Sequence, residues 1–333
     1  MAAFALRLVG LLTLTLMVIV ISVWALTIGS SDIGIGGVVE ALSGAGDERQ
    51  FLVVTTVRLP RILAALLAGA SLAVAGAIMQ AVTANPLASP GLLGINAGAA
   101  FAVVASLILF DPAPTAVYVW YAFVGAASAA FIVYMLASSG VGGATPLKLA
   151  LSGVILSVFL GSVTSSILIF DKTTLDNVRL WSVGSLSGRP MSSVVAVSPY
   201  IGLGIVAALA FSRQVATLSL GAEVARSIGQ NITQWRLTCG VVVVMLAGSA
   251  VAMAGPIGFV GLVVPHMVRL AIGTDYRWIL PFCAVAGALL VILADNLLRY
   301  ALPARDIPVG VTMAIIGAPL FVFLARYRIG NAR

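Results

Sequence analysis

One histidine, two cysteines and two lysines set narrow limits on the chemistry open to this 333-residue chain. A phosphate-cradling loop needs G-x-x-x-x-G-K-[ST], whose backbone amides and lysine surround the phosphates. Lys148 lies in T-P-L-K-L and Lys172 in F-D-K-T-T, so neither sits in that setting. ATP is not bound by that route. A protein-held metal draws on clustered His and Cys, but Cys239 and Cys283 stand 44 residues apart inside apolar runs. They read as buried free thiols. A Ser-His-Asp hydrolase would have to use His266, which follows Pro265 with no nucleophile elbow in view. His266 reads as a helix-end residue bonded to a carbonyl or a partner. Asp295 is the notable acid within an apolar run, and such acids suggest a proton relay. Yet Arg299 follows four residues later, a spacing that permits an intrahelical ion pair. The pair is the favoured reading, because an ion-coupled carrier needs more ionisable groups at mid-depth than this chain has.

The elements that carry these residues follow from composition. Only 9% of residues are charged and 61% are apolar, against about 25% charged in a soluble domain. Mean hydropathy is +1.14. This excludes an ordinary cytosolic enzyme, a disordered chain and a nucleic-acid binder. A backbone crossing lipid must be a helix or part of a closed barrel. The apolar runs are continuous over near 20 residues, whereas barrel strands alternate over about 10. The expectation is an all-α, polytopic membrane bundle in a single domain over 1–333. Ten spans are expected near 8–28, 62–82, 91–110, 115–137, 147–170, 192–211, 236–254, 257–272, 278–298 and 308–325. The first run is too long for a signal peptide core and lacks a clear cleavage site, so it reads as a retained span. Gly69 and Gly76, in A-A-L-L-A-G-A-S-L-A-V-A-G, mark a face made for close helix approach. Ten spans put both termini on one side. With the termini cytoplasmic, Lys and Arg divide ten inside to eight outside, a weak positive-inside bias.

Two regions outside the spans stand out. Residues 213–236 accommodate about two short helices punctuated by Gly221 and Gly229. Ala222, Ala225 and Ile228 recur at a spacing of three, with Glu223 and Arg226 beside them. Such a segment suits a groove on a partner, or is an ordinary solvated loop. At the other face, Arg58 and Arg61 are three apart and share a helix side. Arg299 ends the ninth span and Arg305 follows it. These arginines form an exposed basic rim that would steer an acidic partner, or they anchor helix ends by snorkelling.

Several segments together resemble a known family. R-L-P-R-I-L-A-A-L-L-A-G-A-S-L-A-V-A-G-A-I-M-Q (58–80) runs into N-P-L-A-S-P-G-L-L-G-I-N-A-G-A (85–99). Then come L-G-A-E-V-A-R-S-I-G (220–229), A-G-P-I-G-F-V-G-L-V-V-P-H-M-V-R (254–269), L-A-D-N-L-L-R (293–299) and I-P-V-G-V-T-M-A-I-I-G-A-P-L-F (307–321). The chain is similar to FecCD-type permease subunits of ABC importers for ferric siderophores, haem and cobalamin. The resemblance implies the type II ABC importer permease fold, with about ten transmembrane helices. It implies a bacterial inner-membrane protein paired with a second permease subunit, identical or paralogous. It also implies two ATP-binding subunits that hold the ATP and Mg, a soluble substrate-binding protein and an iron-chelate cargo. By the matched motifs, Leu220, Gly221, Glu223, Ala225, Arg226 and Gly229 belong to a coupling helix seated on the ATPase. Arg58, Arg61 and Arg299 meet acidic residues of the binding protein. Asn85 and Leu87 belong to an inner gate, and Thr145 lies near a second gate segment. The charged stretch Asp171, Lys172, Asp176, Arg179 and Arg189 is a further candidate contact for the binding protein. Two readings from other classes are an ion-coupled secondary carrier using Asp295 and a membrane-embedded enzyme using His266.

Overall fold

The structure is a computed structural model that describes residues 2–330 except 30, 32, 45, 111–114, 140–143 and 303–306. Arg305 lies outside the described residues. Among the described residues the regular structure is helical throughout. The first helix, α1, is Ala2–Thr27, followed by short α2 (Ile35–Ser43) and α3 (Glu48–Leu52). A π turn over Val53–Arg58 leads without a break into α4, Leu59–Val82. After a 3-10 turn at Pro90–Leu93 come α5 (Ile95–Leu109), α6 (Thr115–Ser138) and α7 (Pro146–Phe170). Next are α8 (Lys172–Ser182), α9 (Met191–Ala210), α10 (Ser212–Ser219) and α11 (Ala222–Ser227). The chain continues with α12 (Ile232–Val243), a π turn over Val244–Gly248 and α13 (Ser249–Ala254). It finishes with α14 (Val260–Ile272), α15 (Tyr276–Ala301) and α16 (Val309–Gly330).

Every expected span is helical. Seven helical segments are long and apolar enough to cross a bilayer, and Ile95–Leu109, Val260–Ile272 and Val309–Val322 are shorter apolar helices at the other three expected positions. The second span is longer than expected, because the π turn makes Glu48–Val82 one rod. Charged residues of these helices fall toward the ends of the apolar layer, and α5, α6 and α9 carry none.

Small residues decide how the bundle closes. α4 is its axis: Ala64, Ala65, Ala68, Gly69, Ala73, Ala75, Gly76 and Ala77 are all buried. A Cβ on Gly69 would collide with the Gly287 carbonyl of α15, and one on Gly287 with that of Gly69. Gly76 meets the Gly261 carbonyl of α14 in the same way, and Gly98 and Gly125 pair α5 with α6. In lipid, association rests on such backbone-to-backbone packing rather than on expulsion of water. Any side chain at Gly69 or Gly287 must force α4 and α15 apart. By contrast, α1 and α7 lie at the periphery, with 6% and 11% of their most apolar stretches buried.

Candidate functional site

At one end of the bundle, α10 and α11 form a corner between α9 and α12. The corner follows from glycine placement. Gly221 has φ 98°, which only glycine adopts without strain, and it turns the chain sharply between the two helices. Gly229, at φ 81°, closes α11 with its N–H on the Arg226 carbonyl, while the Gln230 N–H reaches the Ala225 carbonyl. That is a left-handed helix stop with its orphan carbonyls satisfied. Asn231 then starts α12, its side chain accepting from the Gln234 N–H at 3.1 Å. The expectation of two short helices punctuated by Gly221 and Gly229 matches what is observed.

The corner is held from below and open above. Val215 and Leu218 of α10 and Ala225 of α11 are buried. The Gln230 side-chain amide donates to the Gln214 carbonyl at 3.1 Å, tying α10 to the end of α11. Leu220 and Ile228 are each 63% exposed and Val224 is 44% exposed. Glu223 and Arg226 are exposed beside them. The apolar face read from Ala222, Ala225 and Ile228 therefore divides: Ala225 anchors the helix, and Ile228 points away from the bundle with Leu220 and Val224.

The turn after α4 lies at the same end. Its C-terminus is capped by Ala84 in the left-handed region, φ 46°, with the Asn85 N–H on the Gln80 carbonyl. Asn85 is exposed and its side chain accepts from the Leu87 N–H at 2.9 Å, while Leu87 is 55% exposed. Thr145 is the N-cap of α7, accepting from the Lys148 N–H at 3.3 Å. The neighbouring Ala144 carbonyl receives Arg236 of α12 at 3.0 Å. A polar link that sequence reading missed lies beneath this surface. Gln80 accepts from Arg269 and donates to the Gly261 carbonyl at 3.1 Å. Gln80, a lone amide in an apolar segment, was the available signal.

The opposite end holds the arginines, and here the exposed rim gives way to a buried cluster. Arg58 is 2% exposed and donates to the carbonyls of Leu26 and Ser31. Arg61 is 8% exposed and grips Asp295 with Nε and a terminal nitrogen, both at 2.9 Å. Arg299 donates to the Ile28 carbonyl at 2.7 Å and to Asn296 at 3.3 Å, and stands 3.9 Å from Asp295. These guanidiniums tie the α1 exit, α4 and α15 together, a bidentate geometry that arginine suits best. Asp295 is paired as expected, but its principal partner is Arg61, 234 residues away in sequence, and Arg299 is secondary. The reason is reach: α15 packs on α4 across the glycine contacts, which brings the Arg61 fork to the carboxylate.

Asp171 joins α7 to α8 by capping α8. It accepts from the N–H groups of Thr173 and Thr174 and from the Thr174 hydroxyl at 2.7 Å. These bonds, the Thr174 hydroxyl foremost, hold the carboxyl below its usual range. His266 is partly buried on α14, and Cys239 and Cys283 are buried and unbridged.

Comparison with known proteins agrees with this layout. The pattern of the FecCD transport family matches residues 15–327. The Fe(3+)-citrate import system permease protein YfmD of Bacillus subtilis is 46% identical over 301 residues, covering 90% of this chain and 89% of its own. The ferric enterobactin transport system permease protein FepD of Escherichia coli is 39% identical over 313 residues, covering 94% and 93%. Among solved structures, a metal-chelate type ABC transporter in an inward-facing conformation superposes with a TM-score of 0.82 at 27% identity, covering 95% of this chain and 98% of that one. The overall fold is thus shared with a known transporter, and the chain belongs to the FecCD transport family.

Proposed function

We propose that this chain is the membrane-spanning permease subunit of an ABC importer that moves a ferric chelate of the citrate or siderophore type. The single observation that carries the mechanism is the corner of α10 and α11. It presents Leu220, Val224 and Ile228 to solvent on a buried Ala225 anchor, in a chain with no phosphate-binding loop of its own. Exposed apolar side chains on a fixed short helix fit a groove on another protein. The partner at this end is a pair of ATP-binding subunits, which supply the ATP and Mg chemistry. This end faces the cytosol, both termini lie on it, and the protein is a multi-pass component of a bacterial inner membrane. The turn carrying Asn85 and Leu87 is the inner gate, and the Thr145 cap belongs to a second gate segment. A second permease, identical or related, covers the open face of α7, and the chelate passes between the two. A soluble binding protein docks at the opposite end. There Arg58, Arg61 and Arg299 act by holding the shape of the docking surface, since their charges are spent inside the bundle.

The cycle needs two states of rigid bundles driven from outside. ATP closes the ATPase pair, the corner moves with it, and the path opens to one face at a time. Vesicles containing the permease pair, its ATPases and the loaded binding protein will accumulate ferric citrate when ATP is supplied, and will not do so on a proton or sodium gradient alone. Gradient-driven accumulation without ATP would favour the secondary-carrier reading and sink this one.

A further inference from the structure

Among the charged side chains of the outer half, Arg189 differs from the rest. Arg58, Arg61 and Arg299 are spent on internal bonds, and Asp171 caps a helix. Arg189 has neither a hydrogen bond nor an ion pair among the described residues, and its Nε is sealed from solvent. A half-buried cation with no partner among the described residues is costly to keep.

Its place in the fold says where the missing partner comes from. The segment from Trp181 to Pro190 folds back into the bundle. Trp181, Ser185 and Leu186 are buried, and the Gly310 N–H donates to the Gly184 carbonyl at 2.9 Å. Gly184 packs against the Pro256 carbonyl between α13 and α14. α14 has 13 residues, so it climbs only about 20 Å from the cytosolic end. Its start, and the segment packed there, therefore lie inside a core ~30 Å thick. Arg189 stands just above that fold-back, at the entry of α9. It also follows, through α8, on α7, whose open face we assign to the second permease and the cargo path. Two more buried polar atoms without hydrogen-bond partners flank this segment, the Ser193 hydroxyl on the first turn of α9 and the Thr312 hydroxyl on the first turn of α16.

We infer that Arg189 is a specificity-determining residue of the cargo path: its guanidinium receives a negatively charged oxygen, carboxylate or catecholate, of the passing chelate. The inference rests on the chelate-importer reading above. One charged contact in an otherwise uncharged path favours anionic cargo over neutral cargo, yet holds it weakly enough to release it.

The test uses the assembled transporter with ferric citrate as probe, comparing wild type, R189Q and R189K. Expected is a fall in ATP-driven uptake of about tenfold for R189Q, the scale of one charge-assisted hydrogen bond, with R189K retaining most of the rate. Affinity for the binding protein stays at the wild-type value, and the Tm of R189Q is no lower than wild type, since an unpaired buried charge has been removed. Wild-type uptake by R189Q overturns the inference. So does a loss of binding-protein affinity, which would place the partner acid on that protein, and so does a lowered Tm, which would show an internal partner. Repeating the assay in phosphatidylcholine vesicles with and without phosphatidylglycerol separates a lipid source: a defect seen only with the anionic lipid overturns the inference. Stabilisation of the purified permease by ferric citrate provides a readout independent of transport. If wild type fails to accumulate ferric citrate but is stabilised by it through Arg189, the anion site stands and the importer reading falls. If neither occurs, both fall.

Discussion

Replacing Leu220 and Ile228 together by Asp will leave the permease folded in the membrane and strip it of its ATPase. Both side chains are 63% exposed, so the bundle loses no packing. In the assembly they would be buried, and each fully buried aliphatic side chain contributes about 1.5–3 kcal/mol. Losing both, with two charges placed in an apolar groove, weakens the contact by roughly 100-fold or more. Uptake then falls to background, while the thermal midpoint of the isolated permease stays where it was. Changing Ala225 to Asp should do the opposite, because Ala225 is fully buried and anchors α11. That variant loses the corner itself, and its Tm falls with its activity. Normal co-purification of the ATPase with the Leu220/Ile228 double variant would place the energy input elsewhere on the surface.

The second large effect belongs to Asp295. Its carboxylate is the bidentate partner of Arg61, and the two side chains are only 3% and 10% exposed. Removing one member of a buried pair leaves an uncompensated charge, at a cost of about 3–5 kcal/mol. D295A will therefore lower stability in detergent or lipid strongly. A double change, Arg61 to Met with Asp295 to Leu, will recover much of the loss, because an apolar pair of similar volume needs no desolvation. Transport should follow stability through this series. A proton relay predicts otherwise: D295N would abolish uptake with stability intact, and the stable apolar double variant would be dead.

What the sequence made legible followed from local physics. The ten spans could be read because a lipid-facing helix must be apolar over its own length, whatever its neighbours do. Gly221 and Gly229 marked the corner because a positive φ is a property of one residue. The arginines were harder. A spacing of three puts Arg58 and Arg61 on one helix side but does not say whether that side faces water or α15. The Arg61 partner lies 234 residues away, and nothing near Arg61 announces it. Thr145 is a similar case. Its position matched a gate segment loosely, while its observed bond is an N-cap that any Ser, Thr, Asp or Asn could make. The short helices α2 and α3 and both π turns were also invisible. A helix of 9 or 5 residues inside a polar connection carries too few turns for its periodicity to stand out. The extra residue of a π turn is set by tertiary fit.

The uncharged middle of the bundle has an electrical consequence. A charge carried through the full membrane field exchanges about 2.3 kcal/mol per 100 mV. In this chain the ionisable side chains sit toward the helix ends, and the buried cluster of Arg61, Asp295 and Arg299 would ride with α4 and α15 as one block. Rocking such a block displaces almost no gating charge. The resting potential would then neither power nor oppose the conformational step, and any voltage dependence of import would measure the valence of the solute. A transient current recorded from the empty transporter would contradict this.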